Sequence, residues 1–229
     1  MNNTQITDVF FDLDHTLWDF EKNSALTFKK IFELNEIEVE TDYFLKHYKP
    51  INLSYWKQYR QGEVNKEDLR YGRLNDTFKA MNLSVSDDLI YRLSEDYIQH
   101  LTSFNFLFED TVTVLDYLQA RYNLHIITNG FEEVQSSKLE GANIMHYFKT
   151  ITNSEQAGVK KPHRDIFNFA LKQARTEVHK SVMIGDDFEA DILGAKSVGF
   201  EVIYFNVNAN ANAENVPQIN KLIDIKNFL

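Results

Sequence analysis

The sequence predicts an α/β fold in which a parallel sheet core is interrupted once by a helical insert. From residue 106 onward, short apolar runs alternate with helical patterns, as expected of strands joined by crossover helices. The segment 18–105 instead contains four helical patterns and no convincing strand. We therefore expect an α/β core formed by residues 1–17 and 106–229, and a separate helical domain formed by residues 18–105.

Five apolar runs are predicted to be the strands of the core. The first, 6–11, is rich in β-branched and aromatic residues and stops at an acidic cluster. The later runs cover residues 124–128, 148–152, 181–185 and 201–205. Polar residues follow three of these runs, and the carboxyl ends of parallel strands are where open α/β sheets bind ligands. The sequence therefore predicts a site at that edge of the sheet.

Helical patterns account for most of the remaining chain. In the core they cover residues 111–122, 131–143, 163–174 and 188–198, and in the insert residues 24–34, 41–59, 66–81 and 87–103. Pro162 stands just before the third core pattern and is a helix-start signal. The asparagine-rich stretch 206–215 is predicted to be a solvated loop after the last strand, with no function assigned to it.

Composition excludes several classes of function. The 229 residues contain no cysteine, which removes disulfides, thiolate metal sites and cysteine nucleophiles. No basic leader followed by an apolar run and no long apolar stretch is present, so we expect a cytoplasmic protein without a membrane partner. The net charge of −10 disfavours nucleic acid polymers. A small phosphorylated metabolite remains compatible, because a few donors and a bound cation act at short range.

The strongest chemical signal is the acidic pair Asp12 and Asp14 after the first strand. In an extended chain, side chains two residues apart point the same way, so both carboxylates are expected to converge. In such a pair, one ionised carboxylate can act as the nucleophile while the other carboxyl group holds a proton for the leaving group. An ordinary acidic turn is the alternative, and the very hydrophobic strand before the pair disfavours it.

Thr128, Asn129 and Gly130 end the second predicted strand and precede a helix. A hydroxyl and several backbone N–H groups at a helix start can bind an anion. A plain helix cap is the alternative at this position.

Lys160 and Lys161 stand before Pro162, so one ammonium can point inward beside a phosphate while the other faces solvent. A solvated basic turn would also explain these lysines.

Gly185, Asp186 and Asp187 follow the fourth strand, and Asp191 lies four residues beyond Asp187. Acids at a helix start can simply satisfy the helix dipole. Several carboxylates that end different strands would, however, repel each other unless a hard cation lay between them. Oxygen ligands and a phosphoryl substrate favour Mg²⁺ as that cation.

In this order, these four motifs resemble the haloacid dehalogenase-like hydrolase superfamily over essentially the whole chain. The resemblance implies a Rossmann-like core, with the helical insert as a cap domain, and the chemistry of a phosphatase. It implies Asp12 as the nucleophile, Asp14 as the general acid and base, and Thr128 and Lys161 as stabilisers of the phosphate. The Mg²⁺ ligands would be Asp186, Asp12 and the carbonyl of Asp14. The family often has glycine where this chain has His15.

The roles of Asp187 and Asp191 stay open between binding the metal through water and orienting Lys161 or Asp186. Asn129 and Gly130 join Thr128 and Lys161 as expected substrate contacts.

Three rival functions are a dehalogenase or phosphonate hydrolase on the same fold, a receiver domain and a silent binding protein. The acid at position 14 and the acids of the fourth motif disfavour the dehalogenase, while the order of motifs disfavours the receiver. The complete motif set disfavours the binding protein.

The expected substrate is a nucleoside 5′-monophosphate. The aromatic residues near the first motif and in the insert resemble the 5′-nucleotidase branch that acts on pyrimidine and non-standard nucleotides. Trp18 could stack on a base, and Trp56 with Arg60 could present a ring and a cation. Packing of the insert helices is the alternative for Trp56. A sugar-phosphate or general small-molecule phosphatase is the alternative function. A monomer and a small homo-oligomer are both compatible with the sequence.

Overall fold

The protein is described here by a computed structural model that covers residues 6–207 and 215–229. The chain divides into two compact units. One comprises the described residues up to Phe20 together with those from Asn105 onward, and the other comprises Glu21–Phe104. The predicted boundaries of 18–105 lie close to this division, and the interpretation of the helical unit as a cap domain stays a prediction.

The first unit is built on a parallel six-stranded sheet. Its strands are β1 (Asp8–Phe11), β2 (Asn123–Thr128), β3 (Phe148–Asn153), β4 (Ser181–Gly185), β5 (Glu201–Phe205) and β6 (Gln218–Ile219). Their order across the sheet is β3-β2-β1-β4-β5-β6, and every neighbouring pair is parallel. Phe11 is in register with Ile126 of β2 and Ile184 of β4. The residues that follow these three strands therefore emerge at one edge, as predicted.

Helices connect the strands of this unit. They are α5 (Thr111–Gln119), α6 (Glu132–Gly141), α7 (Ser154–Ala157), α8 (Arg164–Ala174), a π-helix (Phe188–Leu193) and α9 (Gly194–Val198). Short 3₁₀ turns cover Met145–Tyr147, Val178–Lys180 and Leu222–Asn227. These helices lie between successive strands in the chain, as is typical of a parallel sheet with crossover connections.

The central strands of the sheet are buried on both faces. All residues of β1 and β4 are buried. Phe10 packs with its ring centroid 5.4 Å from that of Phe200 and stacks 4.6 Å from His125. Apolar side chains from α8 and α9, among them Phe167 and Ala195, cover one face. Strands buried on both sides read as continuous apolar runs, which is why the sequence pattern identified them well.

The two segments that join the units pair with each other inside the first unit. Trp18 forms an antiparallel bridge with Leu107. The Asp19 N–H donates to the Phe106 carbonyl over 3.0 Å. The chain therefore leaves and re-enters this unit through two neighbouring, hydrogen-bonded segments.

The second unit is entirely helical in its regular structure. Its helices are α1 (Phe20–Leu34), α2 (Thr41–Gln61), α3 (Lys66–Ala80) and α4 (Asp87–His100), followed by a 3₁₀ turn at Leu101–Ser103. Asn65 caps α3 and Ser86 caps α4 through side-chain acceptors. A cluster of aromatic rings fills its centre, with Phe28 4.8 Å from Phe44 and 4.6 Å from Tyr48. Because these rings lie on the buried faces of the helices, they recur at helical spacing in the sequence, and that spacing predicted the helices.

Most of the predicted elements are present in the structure, with several differences. Helix α1 begins at Phe20 rather than at residue 24, α4 ends at His100 rather than at residue 103, and α7 was not predicted. The first strand begins at Asp8 rather than Ile6, and α5 ends three residues early. The helix predicted over 188–198 is a π-helix followed by a short α-helix, and β6 was not predicted. Of the stretch 206–215, residues 208–214 lie outside the described residues. Within 6–207 and 215–229, no helix has the length and apolarity needed to cross a membrane.

Candidate active site

Asp12 and Lys161 form a buried ion pair at the carboxyl edge of the sheet. Asp12 follows β1 directly, and Lys161 lies between α7 and α8. The Lys161 ammonium lies 2.6 Å from Asp12 Oδ1 and 2.6 Å from Asp191 Oδ1, and it donates to the Ile127 carbonyl over 2.7 Å. Only 2% of Lys161 is exposed. Its three donors thus face three oxygens, while Lys160 is partly exposed, as the sequence predicted.

Three carboxylates gather around this pair. One oxygen from each of Asp12, Asp186 and Asp191 lies within 4.8 Å of the other two. Asp12 follows β1, Asp186 follows β4, and Asp191 lies in the π-helix. One ammonium cannot neutralise three acids, and a set of carboxylate oxygens is the donor set that Mg²⁺ prefers. The residues present therefore fit a divalent cation, and Asp191 belongs to the group although its role was left open above.

The acids of this group are shifted toward their protonated forms. Burial, assisted by the charges of Asp191 and Asp14, raises the pKa of Asp12 to about 7, although Lys161 opposes the change. Burial and the neighbouring acids also raise the pKa of Asp186 and of Asp191. For Lys161, burial disfavours the charged form, but the two carboxylates outweigh it and raise its pKa. The site therefore carries excess negative charge that a cation would relieve.

The loop after β1 is shaped by His15 and Thr16. His15 has a φ of 66°, in the left-handed region where glycine is favoured. A glycine at this position would adopt the same conformation without strain. The buried Thr16 hydroxyl donates to Asp186 Oδ1 over 3.2 Å and lies 3.5 Å from Asp12 Oδ2. Thr16 thus connects two of the three acids, a role that sequence reasoning missed.

Asp12 and Asp14 both lie beyond the end of β1, and the charge of Asp14 contributes to the raised pKa of Asp12, so the two carboxylates lie near each other. β1 ends at Phe11, and the Leu13 carbonyl accepts from the N–H groups of Leu17 and Trp18 in a tight turn. The pair therefore lies in the loop after β1 rather than within the strand. Asp12 is held by Lys161, whereas Asp14 has partners of its own.

Asn129 contacts protein rather than open space. Its amide donates to the Lys161 carbonyl over 2.9 Å, and its Oδ1 accepts from the Lys161 N–H over 2.8 Å. These two hydrogen bonds hold the backbone that carries Lys161. The Asn129 side chain thus positions the loop that carries Lys161, and its contact with substrate stays a prediction.

Thr128 is buried, and its hydroxyl accepts from the Gly130 N–H over 3.0 Å. The loop enters α6 through Phe131, which provides no side-chain cap. A Cβ on Gly130 would collide with the Gln135 amide. Thr128 and Gly130 therefore lie at the predicted edge, and glycine at 130 leaves room for a neighbouring side chain.

The fourth motif holds Asp191 in place. The Asp187 side chain accepts from the N–H groups of Glu189 and Ala190 and so caps the π-helix. The Asp187 N–H donates to Asp191 Oδ2 over 3.1 Å. A Cβ on Gly185 would collide with the Asp191 carboxylate. Asp187 thus shapes the loop, and Gly185 provides the space that Asp191 occupies.

Asp14 lies against α6. The Lys138 ammonium is 2.6 Å from Asp14 Oδ1, and the Gln135 amide donates to Asp14 Oδ2 over 3.2 Å. Sequence reasoning missed both partners. A signal existed, because Lys138 lies four residues after the buried Val134 and so falls on the apolar face of its helix.

Trp18 is a correction to the sequence prediction. Its side chain is fully buried, its indole N–H donates to Asn105 Oδ1 over 3.3 Å, and the Lys138 ammonium lies 4.5 Å from the ring centroid. A ring in this position has no open face for a nucleobase, so stacking is not supported.

In the helical unit, Trp56 packs edge to face on Tyr59 with centroids 5.7 Å apart, which favours the packing interpretation.

Known proteins resemble this chain over nearly its full length. The family model of haloacid dehalogenase-like hydrolases matches residues 9–205. Pyrimidine 5′-nucleotidase YjjG of Escherichia coli (strain K12) is 28% identical over 209 residues, which cover 91% of this chain and 89% of that protein. Glyceraldehyde 3-phosphate phosphatase of Pyrococcus furiosus is 27% identical over 226 residues, or 92% of this chain and 85% of that protein.

A solved structure is also similar. The crystal structure of the HAD-hydrolase YfnB from Bacillus subtilis, bound to magnesium, matches with a TM-score of 0.87 and 25% identity. The match covers 99% of both chains. The α/β fold predicted from the sequence is thereby confirmed.

Proposed function

The chain belongs to the haloacid dehalogenase-like hydrolases, and from this premise we propose that it is a Mg²⁺-dependent phosphomonoesterase acting through an aspartyl-phosphate on Asp12. The observation that carries the proposal is the contact of 2.6 Å between the Asp12 carboxylate and the buried Lys161 ammonium, beside two further acids. A nucleophilic carboxylate, a fixed cation and a set of metal-binding oxygens are what phosphoryl transfer requires.

The proposed reaction has two steps. In the first, an Asp12 oxygen bonds to phosphorus, the bond from phosphorus to the leaving oxygen breaks, and Asp14 gives that oxygen a proton. In the second, water attacks the same phosphorus and passes a proton to Asp14. The bond to Asp12 then breaks, which releases inorganic phosphate and restores both carboxyl groups.

The other residues stabilise charge during these steps. Lys161 is placed to neutralise the phosphoryl oxygens as well as Asp12. Asp12, Asp186 and the main-chain carbonyl of Asp14, with Asp191 nearby, would hold Mg²⁺. Bound there, the ion would lower the repulsion between an anionic nucleophile and an anionic phosphate. Thr128, at the end of β2, would donate its hydroxyl proton to a phosphoryl oxygen.

The proposed substrate is a nucleoside 5′-monophosphate, and the support is the similarity to a pyrimidine 5′-nucleotidase over 91% of the chain. A sugar-phosphate or general small-molecule phosphatase is the second candidate. The similarity to a glyceraldehyde 3-phosphate phosphatase, at nearly the same identity, favours it. A shared fold and shared catalytic residues do not decide between them, because substrate contacts differ among relatives.

Phosphate release from a panel of substrates tests the proposal. The panel contains dUMP, dTMP, UMP, glyceraldehyde 3-phosphate and p-nitrophenyl phosphate, each with Mg²⁺ and with EDTA. We expect the highest kcat/KM for a nucleotide and almost no turnover in EDTA. Asp12→Asn keeps the shape of the side chain but not its charge, so kcat should fall by about a thousandfold or more.

The outcomes separate the two parts of the proposal. A higher kcat/KM for glyceraldehyde 3-phosphate than for any nucleotide would favour the second candidate and leave the chemistry intact. Mass spectrometry of acid-quenched enzyme should find phosphate on the peptide that contains Asp12. Turnover that persists in Asp12→Asn, or a phosphorylated residue elsewhere, would contradict the covalent role.

A further inference from the structure

Helix α6 contains a buried lysine that the proposed reaction does not use. Lys138 is 2% exposed, and its ammonium lies 2.6 Å from Asp14 Oδ1. The same ammonium lies 4.5 Å from the centroid of the Trp18 ring and 5.6 Å from that of Phe20. Burying an ammonium is costly unless it is paired. The lysine is therefore held where it is by one carboxylate and two aromatic rings.

The second oxygen of Asp14 is also held by α6. The Gln135 amide, 2% exposed, donates to Asp14 Oδ2 over 3.2 Å. Residues three apart on a helix lie on the same face, so Gln135 and Lys138 present two donors to one carboxylate. Gly130 makes this possible, because a Cβ there would collide with Gln135 and lie 3.3 Å from Asp14 Oδ2.

The two acids of the first motif therefore have separate lysines. Lys161, from the loop before α8, contacts Asp12, and Lys138, from α6, contacts Asp14. A side chain that exchanges protons must be held within hydrogen-bond reach of the reacting atom, and a misplacement of about 1 Å can cost about a hundredfold in rate. Two fixed donors on one helix supply that constraint.

We propose that Lys138, assisted by Gln135, is a positioning residue that fixes the Asp14 carboxyl group for proton transfer to the leaving group and from water. The inference rests on the proposed function, in which Asp14 is the acid and base. Lys138 acts through Asp14 and contacts no reacting atom. Trp18 acquires a role here too, since its ring supports the Lys138 ammonium.

Leaving groups of different basicity test the proposal. Lys138→Met keeps the length of the side chain and its apolar contacts but removes the ammonium. An alkoxide leaves only with a proton, whereas p-nitrophenolate leaves without one. Because kcat/KM reports only the steps up to phosphorylation of Asp12, whereas the attack of water is common to both substrates, we expect kcat/KM for dUMP to fall by about 10- to 100-fold and kcat/KM for p-nitrophenyl phosphate to fall much less. Lys138→Arg should recover part of the loss.

Matched variants separate positioning from general damage. Ser137→Met places the same new residue at the exposed neighbouring position and should change neither rate. Adding Lys138→Met to Asp14→Asn should cost nothing further, because the two changes remove one function. Gln135→Leu should show the same dependence on the leaving group with a smaller loss. An equal loss of kcat/KM on both substrates, or full activity on both, would overturn the proposal.

A crystal structure of Lys138→Met gives a readout that does not depend on turnover. We expect the Asp14 carboxyl group in a different rotamer, while Asp12 and Lys161 keep their contact. An unmoved Asp14 would overturn the inference even in an active enzyme. A wild-type protein that releases phosphate from no substrate would contradict the proposed function instead, whatever Asp14 does in the crystal. If Lys138→Met does not fold, Lys138→Arg and Gln135→Leu carry the same measurements.

Discussion

Without a divalent cation, the stability of this protein should fall as the pH rises from 5 to 8. Burial, with the charges of Asp191 and Asp14, raises the pKa of Asp12 from 3.8 to about 7 in the folded chain. A carboxyl group whose pKa is raised by folding holds its proton more tightly in the folded state. Its stabilising effect is complete below the unfolded pKa and is lost as the pH rises toward the folded pKa.

The size of the loss follows from that pKa. Between pH 5 and pH 8, Asp12 alone removes about 2–3 kcal/mol from the free energy of unfolding, since each pH unit below the folded pKa is worth about 1.4 kcal/mol. For a chain of this size, that is a fall of about 5–10 °C in Tm. Asp186, whose pKa is raised by burial and by the same acids, adds to the fall. Mg²⁺ binds ionised carboxylates, so its stabilisation grows over the same range.

Thermal denaturation in EDTA across this pH range, repeated with excess Mg²⁺, measures the effect. Asp12→Asn cannot titrate at this position, so its Tm in EDTA should depend much less on pH than that of the wild type. Asp88→Asn, which changes an exposed carboxylate on α4, should keep the wild-type slope. A wild-type Tm that rises from pH 5 to 8 in EDTA, or an unchanged slope in Asp12→Asn, would refute the reasoning.

Two further predictions concern the fourth motif. Asp186→Ala should raise the Mg²⁺ concentration for half-maximal phosphate release by about 10- to 100-fold and by more than Asp191→Ala does, because Asp191 is also engaged by Lys161. Titrating both variants with Mg²⁺ decides this, and equal shifts would mean that both acids bind the metal alike. Gly185→Ala should lower both kcat and the free energy of unfolding, the latter by about 1–3 kcal/mol, since the new Cβ collides with the Asp191 carboxylate. Urea denaturation and steady-state kinetics would detect it, and a stable, fully active variant would contradict the packing argument.

The central strands could be predicted closely because they are buried on both faces of the sheet. The runs 181–185 and 201–205 match β4 and β5 residue for residue, since continuous apolar sequence ended there at polar residues. β6 has only two residues and exists through its pairing with Tyr204 and Phe205 of β5. Such a short strand leaves no periodic signal. The π-helix was missed because one residue more per turn hardly changes an apolar pattern six residues long.

The candidate site was predictable to the extent that its residues follow strands. Thr128 ends β2, while Asp12 and Asp186 directly follow β1 and β4. Parallel pairing of these strands alone brings the three residues to one edge of the sheet. The partners could not be predicted in the same way. Lys138 lies on the side of a helix, and its contact with Asp14 joins positions 124 residues apart. Which lysine meets which acid depends on packing, and packing is not encoded in local periodicity.

The paired segments at Trp18 and Leu107 bear on how this architecture can change over evolution. Because Asp19 and Phe106 are hydrogen-bonded neighbours, everything from Glu21 to Phe104 is an excursion that starts and finishes at one place on the sheet unit. The entropy of closing such an excursion grows only with the logarithm of its length, about 0.6 kcal/mol for each doubling. The sheet unit would therefore tolerate a longer, shorter or entirely different excursion at little cost. The residues after β1, β2 and β4 would keep their places in the sheet unit through such an exchange.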